Sequence, residues 1–212
     1  MTGDERRVCL AQARLYLCTG IRDGGDDLER FLDAVLSAGV DIVQLREKTA
    51  PVDVQRDAAK IFRRLTEKHA KLFIVNDDPN LAASTDADGV HLGQEDEAPE
   101  KARALLGEDL LIGRSTHAPE ELLRALDEPV DYFGVGPVNE TPTKPGRKGV
   151  GLDYVRFAAE RATLPFFVTG GMTTETIPAV LHAGAARVVV VRALTEATDP
   201  AAAAKELRAL LP

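Results

Sequence analysis

The stretch LPFFVTGGMTTETIPAVLHAGAARVVVVRAL, Leu164–Leu194, contains one complete strand–helix–strand unit. Phe166–Val168 and Val188–Val191 are uninterrupted apolar runs, the second β-branched throughout. Continuous apolarity, rather than alternation, marks a strand buried on both faces, as in a parallel sheet. Between the runs, Ile177, Val180 and Leu181 recur at i, i+3 and i+4, the spacing of one helix face. The turn that joins strand to helix is Thr169-Gly170-Gly171. A crossover of this length joins parallel strands.

The same alternation extends to both ends of the chain. Leu15–Cys18, Ile42–Leu45, Leu72–Val75, Gly89–Leu92, Leu110–Ile112 and Tyr132–Val135 read as strands. Helical spacing follows each of them: Leu28, Phe31, Leu32, Val35 and Leu36, stopped by Gly39; then Val54, Ala58, Ile61, Phe62 and Leu65. A short piece begins at Pro79, and further helices cover Pro99–Leu106, the Leu122, Leu123 and Leu126 segment, Tyr154–Ala162 and Pro200–Leu211. Eight units in 212 residues predict an α/β chain folded as a closed (β/α)8 TIM barrel, with a doubly wound open sheet as the alternative. Residues 1–212 read as one domain, with 1–14 as an N-terminal extension.

Composition narrows the function classes. The 26 Lys and Arg against 34 Asp and Glu give a net charge of −8, which disfavours a nucleic-acid-binding face. No apolar run approaches the roughly 18 residues of a membrane span, and the start lacks a signal-length apolar stretch. Cys9 and Cys18 are too few for a disulfide framework and read as packing residues. The expectation is a cytoplasmic protein without membrane or nucleic-acid partners; a homo-oligomer is compatible with it.

In a barrel of this kind, polar residues at the C-terminal strand ends converge on one mouth. Here those ends carry Gln44-Leu45-Arg46-Glu47-Lys48, Asn76-Asp77-Asp78, His91-Leu92-Gly93-Gln94-Glu95-Asp96 and Gly113-Arg114-Ser115-Thr116-His117. Period-two alternation puts Gln44, Arg46 and Lys48 on one side. Taken singly, each group has an ordinary explanation: solvated strand-end charges, helix-capping aspartates before Pro79, or a surface turn around Asp96. Taken together, they place cations, amides and carboxylates around one cleft. The long segment 136–151 carries Lys144, Arg147 and Lys148 against the single acid Glu140 and reads as a lid over an anion. Gly170-Gly171, at a strand-to-helix turn, suits a backbone cradle for a monophosphate. Arg46, Lys48 and Lys144 beside Asp77 and Asp96 suit a diphosphate with Mg²⁺ between, since that ion takes one or two carboxylates plus phosphate oxygens. Two phosphorylated substrates follow.

These motifs, together with Thr143-Lys144 and Gly170-Gly171-Met172, resemble the thiamine phosphate synthases in order and spacing from Leu15 to Leu211. The resemblance implies a barrel joining 4-amino-2-methyl-5-(diphosphooxymethyl)pyrimidine to 4-methyl-5-(2-phosphooxyethyl)thiazole, giving thiamine phosphate and diphosphate by dissociative loss of diphosphate. It implies that Gln44, Leu45, Arg46, Glu47, Lys48, Asn76, Ser115 and Lys144 hold the pyrimidine diphosphate. Asp77 and Asp96 would hold Mg²⁺, while Thr141, Pro142, Thr143, Gly171, Val191 and Arg192 would contact the thiazole phosphate. Arg192 stands where the family often has a small hydroxyl residue, and Asn139-Glu140 is more polar than usual. Related barrels that tautomerise a thiazole phosphate use a histidine in the segment matching Ser115-Thr116-His117, which gives an isomerase alternative; a phosphate-binding regulator is the non-enzyme one. The paired aspartates favour the synthase.

Overall fold

The structure, a computed structural model, describes residues 1–22, 24–141, 146 and 148–212. Eight strands run β1 (Leu15–Thr19), β2 (Ile42–Leu45), β3 (Leu72–Asn76), β4 (Gly89–Leu92), β5 (Leu111–Thr116), β6 (Tyr132–Val135), β7 (Phe166–Val168) and β8 (Val188–Val190). They close a barrel in sequence order, every neighbouring pair parallel. The open-sheet alternative is thereby excluded.

Helices α2 (Gly25–Ser37), α3 (Val52–His69), α4 (Pro79–Ser84), α5 (Pro99–Leu106), α6 (Pro119–Ala125), α7 (Gly151–Arg161), α8 (Ile177–His182) and α10 (Pro200–Leu210) lie outside the barrel. The main core fills the shell between them and the outward strand positions, among them Leu15, Leu17, Val43, Leu45, Phe73, Val75, Val90 and Phe133. Alternate residues point inward. Tyr16, Ile42, Leu72, Ile74, Leu111, Tyr132 and Phe167 form a separate interior cluster.

Two helices do not belong to the eight units. The first, α1 (Gly3–Gln12), opens with a capping box: the Thr2 side chain accepts from the Glu5 N–H, and the Glu5 carboxylate accepts from the Thr2 N–H. Its Leu10, with Ala13 just beyond, joins the interior cluster and closes the N-terminal end of the barrel. Arg6 and Arg7 fasten it to Asp88 and Asp131, each at 2.9 Å. Those acids belong to a pattern: Asp41, Asp88 and Asp131 immediately precede the even strands β2, β4 and β6. Each carboxylate accepts a backbone N–H of the preceding odd strand, from Leu15, Phe73 and Ile112. The second extra helix, α9 (Arg192–Thr195), follows β8 directly. With one end plugged, chemistry is confined to the other.

Candidate active site

The C-terminal mouth opens into a cavity of about 370 Å³. Its walls include Gln44, Arg46, Lys48, Asn76, Asp77 and Asp96 on one side and Thr169, Gly170, Gly171, Val191 and Arg192 on the other. Strand β2 ends at Leu45, yet Arg46 and Lys48 still line the cavity. Leu45 and Glu47 point elsewhere. Leu45 is buried in the outer core, and Glu47 folds back to accept from the Thr49 N–H and hydroxyl. Period-two alternation is the reason: one side of the segment faces the cavity and the other faces the helices. Thr141 reaches the cavity; Pro142, Thr143 and Lys144 lie outside the described residues, as does Arg147 of the expected lid.

The two neighbouring acids after β3 divide two tasks. Asp78 caps α4, accepting from the Asn80 and Leu81 N–H groups at 2.9 and 3.0 Å. Asp77 adopts a positive φ of 64°, and its N–H donates to the His91 carbonyl at 2.9 Å, so its side chain joins the cavity wall instead. Asp77 Oδ2 lies 3.1 Å from Lys48 Nζ. Asp96 Oδ2 accepts from the Gly93 N–H at 2.6 Å, and the Asp77 and Asp96 carboxyls are close enough to shift each other's ionisation. Burial and then the neighbouring Asp77 carboxyl push the Asp96 carboxyl above the usual aspartate range. Burial also acts upward on Asp77, but the neighbouring Asp96 together with Lys48 outweighs it and holds Asp77 low. Two neighbouring carboxyls disfavour each other's ionisation, and a hard cation placed between them would relieve that repulsion. Among the described residues no group of three or more His, Cys, Asp or Glu side chains could form a closed metal cage. An open pair of carboxylates is the donor set Mg²⁺ accepts when substrate oxygens and water complete its shell.

The opposite wall is built from backbone. Gly170 and Gly171 adopt φ values of 107° and 69°, a region that favours glycine. Among the described residues, the N–H groups of Gly171, Arg192 and Ala193 have no protein acceptor. The Gly170 carbonyl accepts from Asn139 Nδ2 at 3.1 Å, so the unusual Asn139 ties the loop after β6 to this turn. Arg192 opens α9 with its guanidinium 3.9 Å from Glu196, half exposed beside the cavity. Donors converging after the last two strands beside a short extra helix stand where barrels of this fold frequently take a phosphate.

Several cavity residues were not expected from sequence. Tyr16, Tyr132 and Phe167 form the floor, and Thr173 lines the wall. Cys18, expected to be a packing residue, also lines the cavity and donates to Gln44 Oε1 at 3.2 Å. Ser115 pairs with His91 Nε2 at 2.8 Å. His117 does not line the cavity: its Nδ1 contacts the Gly136 carbonyl, and its N–H donates to Glu121.

A family profile described as thiamine monophosphate synthase matches residues 15–194. The chain belongs to this family. Curated relatives agree over nearly the full length. The chain is 51% identical over 205 residues to the thiamine-phosphate synthase of Streptomyces avermitilis, covering 96% of this chain and 95% of the relative. It is 48% identical over 207 residues to that of Acidothermus cellulolyticus, covering 97% and 98%. Among solved structures, the thiamine phosphate pyrophosphorylase of Pyrococcus furiosus aligns with a TM-score of 0.85 at 32% identity, covering 96% of each chain. Family membership makes this chain an enzyme, a transferase of thiamine biosynthesis that forms thiamine phosphate, and sets aside the regulator and isomerase alternatives. Among the described residues no helix is long and apolar enough to cross a membrane.

Proposed function

We propose that the enzyme condenses 4-amino-2-methyl-5-(diphosphooxymethyl)pyrimidine with 4-methyl-5-(2-phosphooxyethyl)thiazole, releasing diphosphate, with Mg²⁺ held by Asp77 and Asp96. The observation that carries this reading is that Asp77 and Asp96 line one cavity together, with Lys48 3.1 Å from Asp77, facing a separate Gly170-Gly171 turn. The first zone suits a metal diphosphate and the second a monophosphate. Gln44, Arg46, Asn76, Ser115 and Lys144 complete the pyrimidine diphosphate's surroundings; Thr141, Pro142, Thr143, Gly171, Val191 and Arg192 take the thiazole phosphate. Leu45 and Glu47, turned away from the cavity, have only backbone atoms to offer.

The chemistry asks for charge and position rather than proton transfer. The C–O bond to the diphosphate breaks with its electron pair leaving on oxygen, and the aminopyrimidine ring delocalises the cation that remains. Arg46, Lys48 and Lys144 stabilise the negative charge that accumulates on the departing group. Mg²⁺, when bound, supplies further neutralisation of those oxygens. The thiazole nitrogen then forms the new C–N bond with its own lone pair. It carries no proton to lose, so no general base is needed, and holding the two substrates face to face provides much of the rate.

Mixing the two substrates with the enzyme, with Mg²⁺ or with excess EDTA, tests the reading. The expected result is thiamine phosphate and pyrophosphate in equal amounts, with turnover lost in EDTA. Metal-independent turnover would remove Mg²⁺ from the proposal, and no product with Mg²⁺ present would overturn the substrate assignment.

A further inference from the structure

Beneath the mouth, a hydrogen-bond chain runs across the barrel interior, and the proposed chemistry makes no use of it. Gln44 Nε2 lies 2.6 Å from Tyr16 Oη, and Tyr16 Oη lies 3.1 Å from Tyr132 Oη. Tyr132 Oη lies 3.1 Å from His91 Nδ1, and His91 Nε2 lies 2.8 Å from Ser115 Oγ. The chain links two cavity-lining side chains, Gln44 on β2 and Ser115 on β5. Space has been cleared for it: a methyl group at Gly113 would run into both Tyr132 and the His91 imidazole.

The chain has one consistent direction. Cys18 fixes its start: its S–H donates to Gln44 Oε1. The amide nitrogen therefore faces Tyr16 and donates to it. Burial raises the pKa of both phenols, so both keep their protons. Tyr16, having accepted, passes its own O–H to Tyr132, and Tyr132 passes its O–H to His91 Nδ1. An imidazole that accepts at Nδ1 carries its proton on Nε2 and donates there to Ser115. The reverse direction would leave the buried Tyr16 hydroxyl with two donors aimed at it and no acceptor for its own hydrogen. Ser115 thus accepts from His91, and its own hydrogen has no acceptor among the described residues.

We propose that His91 and Tyr132 are positioning residues which lock the Ser115 hydroxyl as a donor into the cavity, reserved for an anionic oxygen of the diphosphate substrate. This rests on the reading that places Ser115 at the pyrimidine diphosphate. A donor held in this way needs no reorganisation as charge develops on the leaving group, and it discriminates against ligands that present a donor at the same point.

The ¹⁵N imidazole spectrum of the folded, ligand-free enzyme reads the direction without any variant. The expected result is His91 protonated at Nε2, shifting toward Nδ1 protonation in Tyr132→Phe and unchanged in Tyr16→Phe, where Tyr132 can still donate. In steady-state kinetics, Tyr132→Phe should lower kcat/KM for the pyrimidine diphosphate about tenfold, the loss of one hydrogen bond to a charged group. The KM for the thiazole phosphate should not move. In a Ser115→Ala background, Tyr132→Phe should cost nothing more, because its effect passes through that hydroxyl. A wild-type His91 protonated at Nδ1, or losses that multiply in the double variant, would overturn the proposal. Failure of the wild-type enzyme to form thiamine phosphate would instead strike at the substrate assignment, with the spectrum still deciding the chain's direction.

Discussion

Replacing Asp96 with Asn separates the cost of the carboxylate pair from its use. Without a cation, Asp77 and Asp96 repel each other, and Lys48 at 3.1 Å offsets only part of the charge. Two unit charges 4 Å apart repel by about 1 kcal/mol in water and about 4 kcal/mol at an effective dielectric of 20. The Asp77 side chain is 30% exposed, so the lower figure applies. Asn at 96 keeps an acceptor for the Gly93 N–H and offers an amide N–H to Asp77. Asp96→Asn should therefore stabilise the metal-free protein by about 1 kcal/mol at neutral pH, about 2–4 °C in Tm for a chain of this size. The sign with pH follows from the raised Asp96 value: its favourable contribution is complete in acid and is lost as pH rises through the folded-state value. The advantage of Asn should thus open above that value and close in acid. Mg²⁺ should reverse the ranking, since an ion at a hundred times its Kd stabilises wild type by about 2.7 kcal/mol. The variant should gain less, and thiamine phosphate formation should fall at least tenfold, about 1.4 kcal/mol of barrier. Scanning calorimetry in acid and at neutral pH, with and without Mg²⁺, reads all of this. A variant less stable than wild type at neutral pH, with an undiminished Mg²⁺ shift, would refute the reasoning.

Lys48→Ala should lower kcat/KM for the pyrimidine diphosphate about a hundredfold, in the range for losing one preorganised electrostatic contact, and leave the thiazole phosphate KM unchanged. Gly171→Ala meets no steric block, its nearest neighbour Asn139 lying 3.5 Å away, but a φ of 69° costs a residue with a side chain about 1–2 kcal/mol; Tm should fall, and calorimetry should show weakened inorganic phosphate binding. Asp88→Ala strands Arg6 and Arg63 beside a site whose carboxylate is 1% exposed, and urea unfolding should show a loss of about 3–5 kcal/mol. Because Asp88 lies at the plugged end, kcat of the folded variant should hold.

The barrel was legible because apolar strands and helical spacing alternate in register along the whole chain, and Gly89–Leu92 and Pro99–Leu106 coincide with β4 and α5. The plug helix α1 was missed because it carries no apolar stripe: Leu10 is its one buried side chain beyond Gly3. Thr2 and Glu5, spaced as a capping box, were the signal available. In the mouth, alternation placed Gln44, Arg46 and Lys48 correctly on one side, and it also implies that Leu45 and Glu47 face away. The division between Asp77 and Asp78 depends on a positive φ, and nothing in the residue types announces that. Tyr16 and Cys18 sit on β1, His91 on β4 and Tyr132 on β6, so only the closed barrel brings their polar atoms together.

Calorimetric titration of inorganic pyrophosphate into the enzyme, with Mg²⁺ and then with EDTA, addresses the central claim most directly. Binding should require Mg²⁺ in wild type and be lost in both Asp77→Ala and Asp96→Ala. Equal binding in EDTA, or Mg²⁺-dependent binding that survives both substitutions, would contradict it.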